Sequence, residues 1–244
     1  TTTIVGCIGV DTICQNMPNL YGKVAGLNEE GISAFLYTGG YDVPPKTLTG
    51  DPRQDLLFVR EAIGIGETAI SDFRSTMPSD AELARLIGRI LAGKSGLTHF
   101  HVGDGKAGLE VLERLLDAEM AEPECLYPTH VERQPWILEQ AARITHRGVA
   151  VDMDVCDGDT LGHLRRFTQH GGRWSHLTLS SDASIVAPRM LYDEFRVCLR
   201  SGDWKLEELL PLITVNAARI LRLKGKGRIR AGADADFLLV DRAS

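Results

Sequence analysis

Short apolar runs rich in β-branched residues alternate along the chain with longer stretches in which apolar residues recur at helical spacing. The longer stretches include DAELARLIGRILAG (80–93), AGLEVLERLLDAEM (107–120) and PWILEQAARITHRG (135–148). The alternation predicts βα units around a parallel sheet. The apolar runs predict seven strands, at residues 4–10, 32–38, 67–71, 97–102, 125–129, 149–155 and 177–181.

Seven successive βα units fit a barrel of eight better than an open doubly wound sheet, which usually has about six strands in two halves. We therefore predict an α/β fold, an incomplete TIM-like (β/α)8 barrel that has seven of its eight strands and lacks the first. Helical patterns alone follow residue 181. The segment GKGRIRAGADADFLLVD then predicts two short strands of a separate β layer. The predicted domains are a barrel at 1–222 and part of a small C-terminal β-sandwich at 223–244.

Composition narrows the possible partners. A chain of 244 residues with 43% apolar residues can bury one large core. The net charge of −6 and the absence of a basic cluster argue against nucleic-acid binding. No apolar run has the length of a membrane span, and the first residues do not resemble a signal peptide, which together predict a cytoplasmic protein. The five cysteines form no CxxC pair, so neither a disulfide framework nor a thiolate zinc site is expected. Small molecules are the expected partners.

Polar side chains cluster at the predicted strand ends, where the reacting groups of a βα barrel lie. Taken singly, each has an ordinary structural explanation as a core histidine, a helix-capping aspartate or a surface arginine. Together, imidazole and carboxylate groups on four neighbouring strand ends predict a site for zinc or a similar divalent ion. The candidates are Tyr41, Glu67, Asp72, Arg74, His99, His101, His130, Arg133 and Asp182.

A competing motif occurs directly after the fourth predicted strand. Gly103, Gly105 and Gly108 form GxGxxG between a strand and a helix, the context that a dinucleotide-binding fingerprint requires. That fingerprint belongs on the first strand of a Rossmann unit, whereas three βα units precede it here. It also leaves the other strand-end groups unexplained, so the metal site is the favoured interpretation.

Several segments resemble the isoaspartyl (β-aspartyl) dipeptidases of the metal-dependent amidohydrolase superfamily. They are LNEEGISAFLYTGGYDVPPKTLTG, AISDFRS, FHVGD, YPTHVER, LTLSSD and NAARILRLKGKGRIRAGADADFLLV. The resemblance implies a distorted barrel that holds two zinc ions and hydrolyses β-aspartyl dipeptides with a zinc-activated hydroxide. It also implies a homo-oligomer.

The resemblance assigns a role to each matching residue. Tyr41 would polarise the scissile carbonyl, and Asp182 would carry a proton from the attacking water to the leaving amine. Arg74 and Arg133 would hold substrate carboxylates, with Ser184 as a further substrate contact. The implied metal ligands are Glu67, His101, His130 and Asp182.

Two features depart from the family pattern. Glu67 occupies the position of the family's carboxylated lysine, and Lys94 lies before the fourth strand, at the wrong end of the barrel to replace it. Glu67 can still supply a bridging carboxylate, although its shorter stem would bring the metals nearer the backbone or change their number. The His-x-His pair of the family's first barrel strand is missing. We therefore expect a natural gene product that is longer at both ends, and a segment that is poorly folded or inactive alone.

The sequence HFH on the fourth predicted strand has the same His-x-His pattern as that missing pair. His99 and His101 point to the same side of a strand. The resemblance, however, implies only one histidine ligand at this position in the barrel. His101 lies nearer the carboxyl end and is the predicted ligand, whereas His99 is predicted to be a core histidine.

Two other functions remain open. One is a different amidohydrolase that acts on carboxylate-bearing amides, such as a dihydroorotase-like or N-acyl-amino-acid hydrolase. The other is a non-catalytic barrel that has lost its metals.

Overall fold

The structure is a computed structural model that describes residues 1–87, 96–184 and 186–240. Among these residues, seven parallel strands alternate with helices, one strand for each predicted strand. All nine residues of the third strand are buried, so it has no polar alternation to mark its start, and it begins before the predicted position. The strands are β1 (Thr3–Gly6), β2 (Ser33–Thr38), β3 (Ala62–Ile70), β4 (Thr98–Val102), β5 (Leu126–Thr129), β6 (Val151–Asp154) and β7 (Leu177–Ser180).

The helices begin where local capping residues allow. Asn16 accepts a hydrogen bond from the Asn19 N–H at the start of the first helix, and Ser79 forms a capping box with Glu82 at the third. The third helix follows the 80–93 prediction up to Leu86, and residues 88–95, with Lys94, lie outside the described part. The helices are α1 (Met17–Glu29), α2 (Pro52–Phe58), α3 (Asp80–Leu86), α4 (Glu110–Asp117), α5 (Pro135–Ile144), α6 (Thr160–Gln169), α7 (Met190–Ser201), α8 (Leu206–Leu209) and α9 (Val215–Ile220).

The strands follow one another in space as they do in sequence. β1 to β5 form one parallel sheet in that order, β6 pairs with β7, and β6 lies beside β5. This sequential order is that of a βα barrel and confirms the predicted incomplete TIM-like fold. Because all seven strands run parallel, their carboxyl ends open onto one face.

In the described part of the chain, buried apolar side chains pack against the sheet in three clusters. Outside it, Phe100, Leu112, Ile137 and Phe167 are completely buried between strands and helices. A separate, smaller cluster of buried side chains includes Tyr37 on β2 and Tyr127 on β5. Within the described residues, no helix combines the length and apolar character needed to span a membrane.

Residues 223–240 follow α9 and form turns and extended chain. The two strands predicted there do not form within these described residues, because no neighbouring strand offers them hydrogen-bond partners. Lys226 pairs with Asp234 at 2.8 Å and also with Asp236, whose carboxylate accepts hydrogen bonds from Thr3 and Ser33. The segment is thereby tied to the starts of β1 and β2. Its assignment to a β-sandwich stays a prediction, and residues 241–244 are outside the described part.

Candidate active site

Polar side chains from six strands meet at the carboxyl-end face of the barrel. Most are buried, and they include all of the predicted metal ligands. They are Tyr41 after β2, Glu67 on β3, Asp72 after β3, His101 on β4, His130 after β5, Asp154 at the end of β6, and Asp182 after β7.

The centre of the cluster is the Glu67 carboxylate. Its Oε1 atom lies 3.2 Å from Nδ1 of His101 and 2.8 Å from Nε2 of His130. One ligand atom from each of the three side chains falls within 4.8 Å of the others. Burial alone would raise the pKa of Glu67, but hydrogen bonds from the two histidines outweigh it and hold the pKa below the usual range. A buried carboxylate and two imidazoles in this arrangement fit a divalent cation such as zinc.

The other nitrogen of each histidine also faces a carboxylate. Nε2 of His101 lies 3.0 Å from Asp72, and Nδ1 of His130 lies 2.5 Å from Asp154. The Arg74 guanidinium, hydrogen-bonded to Asp72, lowers the pKa of that carboxyl to about 2. Burial disfavours a charge on His130, yet its bonds to Asp154 and Glu67 raise its pKa to about 10. A metal at Nε2 would therefore take the place of a proton.

A second possible ligand group shares His130 with the first. It combines His130, Asp154 and Asp182, with one ligand atom from each again within 4.8 Å. Arg133 lies beside it, 3.7 Å from the Asp154 carboxylate and 3.6 Å from that of Asp182. Ser184 is exposed and donates a hydrogen bond of 3.3 Å to Asp182.

Tyr41 places its hydroxyl against the first group. The oxygen lies 2.7 Å from Nδ1 of His101, and the Arg74 guanidinium sits 5.7 Å from the centre of the tyrosine ring. Burial raises the pKa of Tyr41 well above its usual range. The side chain therefore stays a neutral hydroxyl, which can donate a hydrogen bond to a substrate oxygen.

His99 lies one layer below His101. Its ring stacks on Tyr37 at 4.7 Å between centroids, packs at 5.0 Å from Tyr127, and hydrogen-bonds through Nδ1 to the Tyr127 carbonyl. Burial lowers the pKa of His99 to about 4, which favours the neutral form. These contacts are those of the core histidine that was predicted.

The glycines after β4 pack against the chain that follows β3. A Cβ atom on Gly103 would lie 2.4 Å from Cβ of Asp72, and one on Gly105 would lie 2.4 Å from the Ser71 carbonyl oxygen. The Ser71 hydroxyl accepts a hydrogen bond from the Gly108 N–H. Close packing between two loops thus accounts for the glycine pattern, without a dinucleotide.

Sequence reasoning missed two buried acidic residues of the site. Asp154 ends β6 at a position where reacting groups are expected, so the strand-end rule could have found it. Glu132 follows His130 by two residues, and its carboxylate accepts a hydrogen bond from the Asp154 N–H at 3.2 Å. Nothing in the sequence distinguishes Glu132 from a surface glutamate, because its burial results from packing against β6.

The chain is similar to solved structures over its whole length. A β-aspartyl dipeptidase from Fervidobacterium islandicum AW-1 is 36% identical over 100% of this chain and 69% of its own, with a TM-score of 0.93. A structure from the same organism in complex with the dipeptide β-Asp-Leu is 35% identical over 100% of this chain and 71% of its own, also with a TM-score of 0.93. An amidohydrolase from Mycoplasma synoviae shares the fold at 16% identity, covering 96% of this chain and 78% of its own with a TM-score of 0.61. The Amidohydrolase family profile matches residues 159–243.

Proposed function

This chain belongs to the β-aspartyl dipeptidase family of amidohydrolases, and from that membership we propose that its natural gene product hydrolyses the β-aspartyl bond of dipeptides. The observation that carries the proposal is the 36% identity with a β-aspartyl dipeptidase over the whole chain. The convergence of Glu67, His101 and His130 at the carboxyl ends of the strands supports it.

The proposed cofactor is zinc. Glu67 Oε1, His101 Nδ1 and His130 Nε2 would hold one ion, and Asp182 stands near His130, where it could bind the same ion or a second. A bound zinc ion lowers the pKa of a water ligand to about 7 and polarises a carbonyl group. Glu67 is the proposed bridging carboxylate for two ions, because both histidine contacts use Oε1 and its second oxygen, Oε2, takes part in neither.

Tyr41 and Asp182 are the proposed catalytic residues. The Tyr41 hydroxyl would donate a hydrogen bond to the scissile carbonyl oxygen and stabilise the charge that develops there. Asp182 would accept a proton from the attacking water and return it to the leaving amine, so that one water is consumed and one amide bond is cleaved. The partly exposed position of Asp182 allows it to reach a substrate that enters from the barrel mouth.

Arg74 and Arg133 are the proposed substrate-binding residues, with Ser184 at the rim. A β-aspartyl dipeptide has two carboxylates, one on the aspartyl residue and one at the C-terminus, and a guanidinium can bind each one bidentately. The side chains of Arg74 and Arg133 are 40% and 29% exposed, so both can reach a bound molecule.

An assay with β-Asp-Leu tests this function. The natural gene product, purified without chelator, should hydrolyse β-Asp-Leu in preference to α-Asp-Leu, lose activity with chelator and recover it with Zn²⁺. Arg133→Lys should raise KM about 10- to 100-fold, the value of a charge-assisted hydrogen bond. Arg143→Lys, which changes a surface arginine paired with Glu113, should leave KM unchanged.

Other results would point to the alternatives. Cleavage of dihydroorotate or an N-acyl amino acid but not of β-Asp-Leu would identify a different amidohydrolase. Absence of both bound metal and hydrolysis would contradict the proposal and favour a non-catalytic barrel. A homo-oligomeric state, a cytoplasmic location and a β-sandwich role for 223–244 stay proposals alongside it.

A further inference from the structure

The two histidines of the first ligand group have matching surroundings. Each directs one ring nitrogen at Glu67 and the other at a second buried carboxylate, Asp72 for His101 and Asp154 for His130. The side chains of Asp72 and Asp154 are only 2% and 3% exposed. His101 faces Glu67 with Nδ1 and Asp72 with Nε2. His130 does the reverse, facing Glu67 with Nε2 and Asp154 with Nδ1.

The protonation rules of imidazole give this arrangement a consequence. A neutral histidine that binds a metal through one nitrogen carries its proton on the other, and a buried N–H needs an acceptor. Asp72 lies within hydrogen-bond distance of Nε2 of His101, and Asp154 of Nδ1 of His130.

A guanidinium also lies near each of these nitrogens, with Arg74 Nη2 3.2 Å from Nε2 of His101 and Arg133 Nη2 2.9 Å from Nδ1 of His130. Because a guanidinium has no acceptor atom, only the carboxylates can accept these imidazole N–H groups. Each carboxylate therefore favours the tautomer whose free lone pair points at Glu67.

Both outer carboxylates are themselves held in place. Asp72 accepts hydrogen bonds from the Arg74 side chain, at 2.6 Å from Nη2, and from the Arg74 backbone N–H at 2.8 Å. Asp154 accepts one from the Cys156 N–H at 2.9 Å, and its own N–H donates to Glu132. The Asp72 carboxylate cannot turn away from its histidine without breaking the bonds to Arg74, nor that of Asp154 without breaking the bond to the Cys156 N–H, while the Glu132 bond holds the Asp154 backbone.

We propose that Asp72 and Asp154 are positioning residues that orient the two ligand histidines of the metal centre. The inference rests on the proposed metal-dependent function. It separates the two candidate ligand groups: Asp154 acts on the metal through His130 and does not bind the metal itself. Its carboxylate lies within hydrogen-bond distance of Nδ1 of His130.

Metal binding to substituted proteins tests the inference apart from activity. Zn²⁺ affinity is measured by competition with a chromogenic chelator, and the visible spectrum is recorded after loading with Co²⁺. Asp72→Ala and Asp154→Ala should weaken Zn²⁺ binding about 10- to 100-fold. Asp154→Asn should retain more affinity than Asp154→Ala, because the amide oxygen can still accept the Nδ1–H. All three should keep the wild-type Co²⁺ band positions, since the direct ligands remain.

Asp157→Asn is the matched control. Asp157 forms a carboxylate–histidine pair with His163 at 2.7 Å that belongs to neither candidate ligand group, so its substitution should leave Zn²⁺ affinity unchanged. Circular dichroism shows whether each variant folds. If an alanine variant does not fold, the asparagine variants Asp154→Asn and Asp72→Asn carry the test, with an expected loss of about tenfold.

Three results would overturn the inference. Zn²⁺ affinities within about twofold of wild type in the folded variants would show that the carboxylates do not position the histidines. A Co²⁺ spectrum of Asp154→Ala that changes as much as that of His130→Ala would make Asp154 a direct ligand. Wild-type protein that binds neither metal would overturn the proposed metal-dependent function as well, a result distinct from the other two.

Discussion

Asp55 offers a direct test of how the fold holds the loop that carries Tyr41. Asp55 lies in α2 and is completely buried. Its carboxylate accepts hydrogen bonds from the Leu48 N–H at 2.8 Å, from the Thr49 N–H at 2.8 Å and the Thr49 hydroxyl at 2.7 Å, and from the Thr38 hydroxyl. Tyr41 lies in the loop between Thr38 and Thr49. The Asp55 carboxylate therefore forms hydrogen bonds with both ends of the loop that carries Tyr41.

The number of donors sets the size of the effect. The N–H groups of Leu48 and Thr49 bind different oxygens of Asp55. Asp55→Asn keeps one oxygen and leaves one of these N–H groups facing an amide NH₂, while the threonine hydroxyls can rotate to accept hydrogen bonds. An unsatisfied buried donor costs about 1–3 kcal/mol, so we expect a loss of ~2 kcal/mol for Asp55→Asn. Asp55→Ala leaves both N–H groups without a partner and should cost ~4 kcal/mol.

Urea unfolding followed by tryptophan fluorescence measures these losses. Asp51→Asn is the control, because Asp51 caps α2 by accepting the Arg53 N–H and asparagine caps equally well, so its effect should stay below about 0.5 kcal/mol. Asp55→Asn should also lower the rate of β-Asp-Leu hydrolysis, since Tyr41 is no longer held. If Asp55→Asn were no more destabilising than Asp51→Asn, the idea that Asp55 fastens this loop would be wrong.

Three further predictions concern the site and its surroundings. The pKa of His99 is about 4 in the folded state against 6.5 for a free histidine. The contribution of His99 to folding stability is therefore present above pH 6.5 and is lost at up to about 1.4 kcal/mol per pH unit as the pH falls from 6.5 toward 4. His99→Phe should remove up to ~2 kcal/mol of the loss between pH 6.5 and 5 in metal-free urea titrations, whereas an unchanged slope would mean that another group titrates. Glu67→Gln should reduce both Zn²⁺ affinity and β-Asp-Leu hydrolysis by more than about 100-fold, a larger loss than that expected for Asp72→Ala or Asp154→Ala. Retained Zn²⁺ affinity would show that Glu67 is not a metal ligand. Gly105→Ala should lower the free energy of unfolding by about 1–3 kcal/mol, because the added Cβ would meet the Ser71 carbonyl oxygen. Gly26→Ala is the control and should cause no such loss, since a Cβ at Gly26 in α1 has open space around it. Equal effects in thermal unfolding would contradict the close-packing explanation.

Much of the fold could be predicted because its signals are local. The period of apolar residues marks each βα unit, and the order of seven such units specifies a barrel. The rule that reacting groups lie at the carboxyl ends of barrel strands then selected Glu67, His101 and His130, which the structure brings together. β3 begins at Ala62, before the predicted residue 67, because a strand buried throughout has no alternation to mark where it begins.

The residue types that reach the mouth of the barrel follow from strand position, which can be read along the chain. The pairing of individual atoms depends on the packing of distant segments. Glu67 and His130 are 63 residues apart, and their contact depends on how β3, β4 and β5 lie side by side. The partners of each histidine nitrogen, and the burial of Asp154 behind His130, follow from packing between strands that no local pattern encodes.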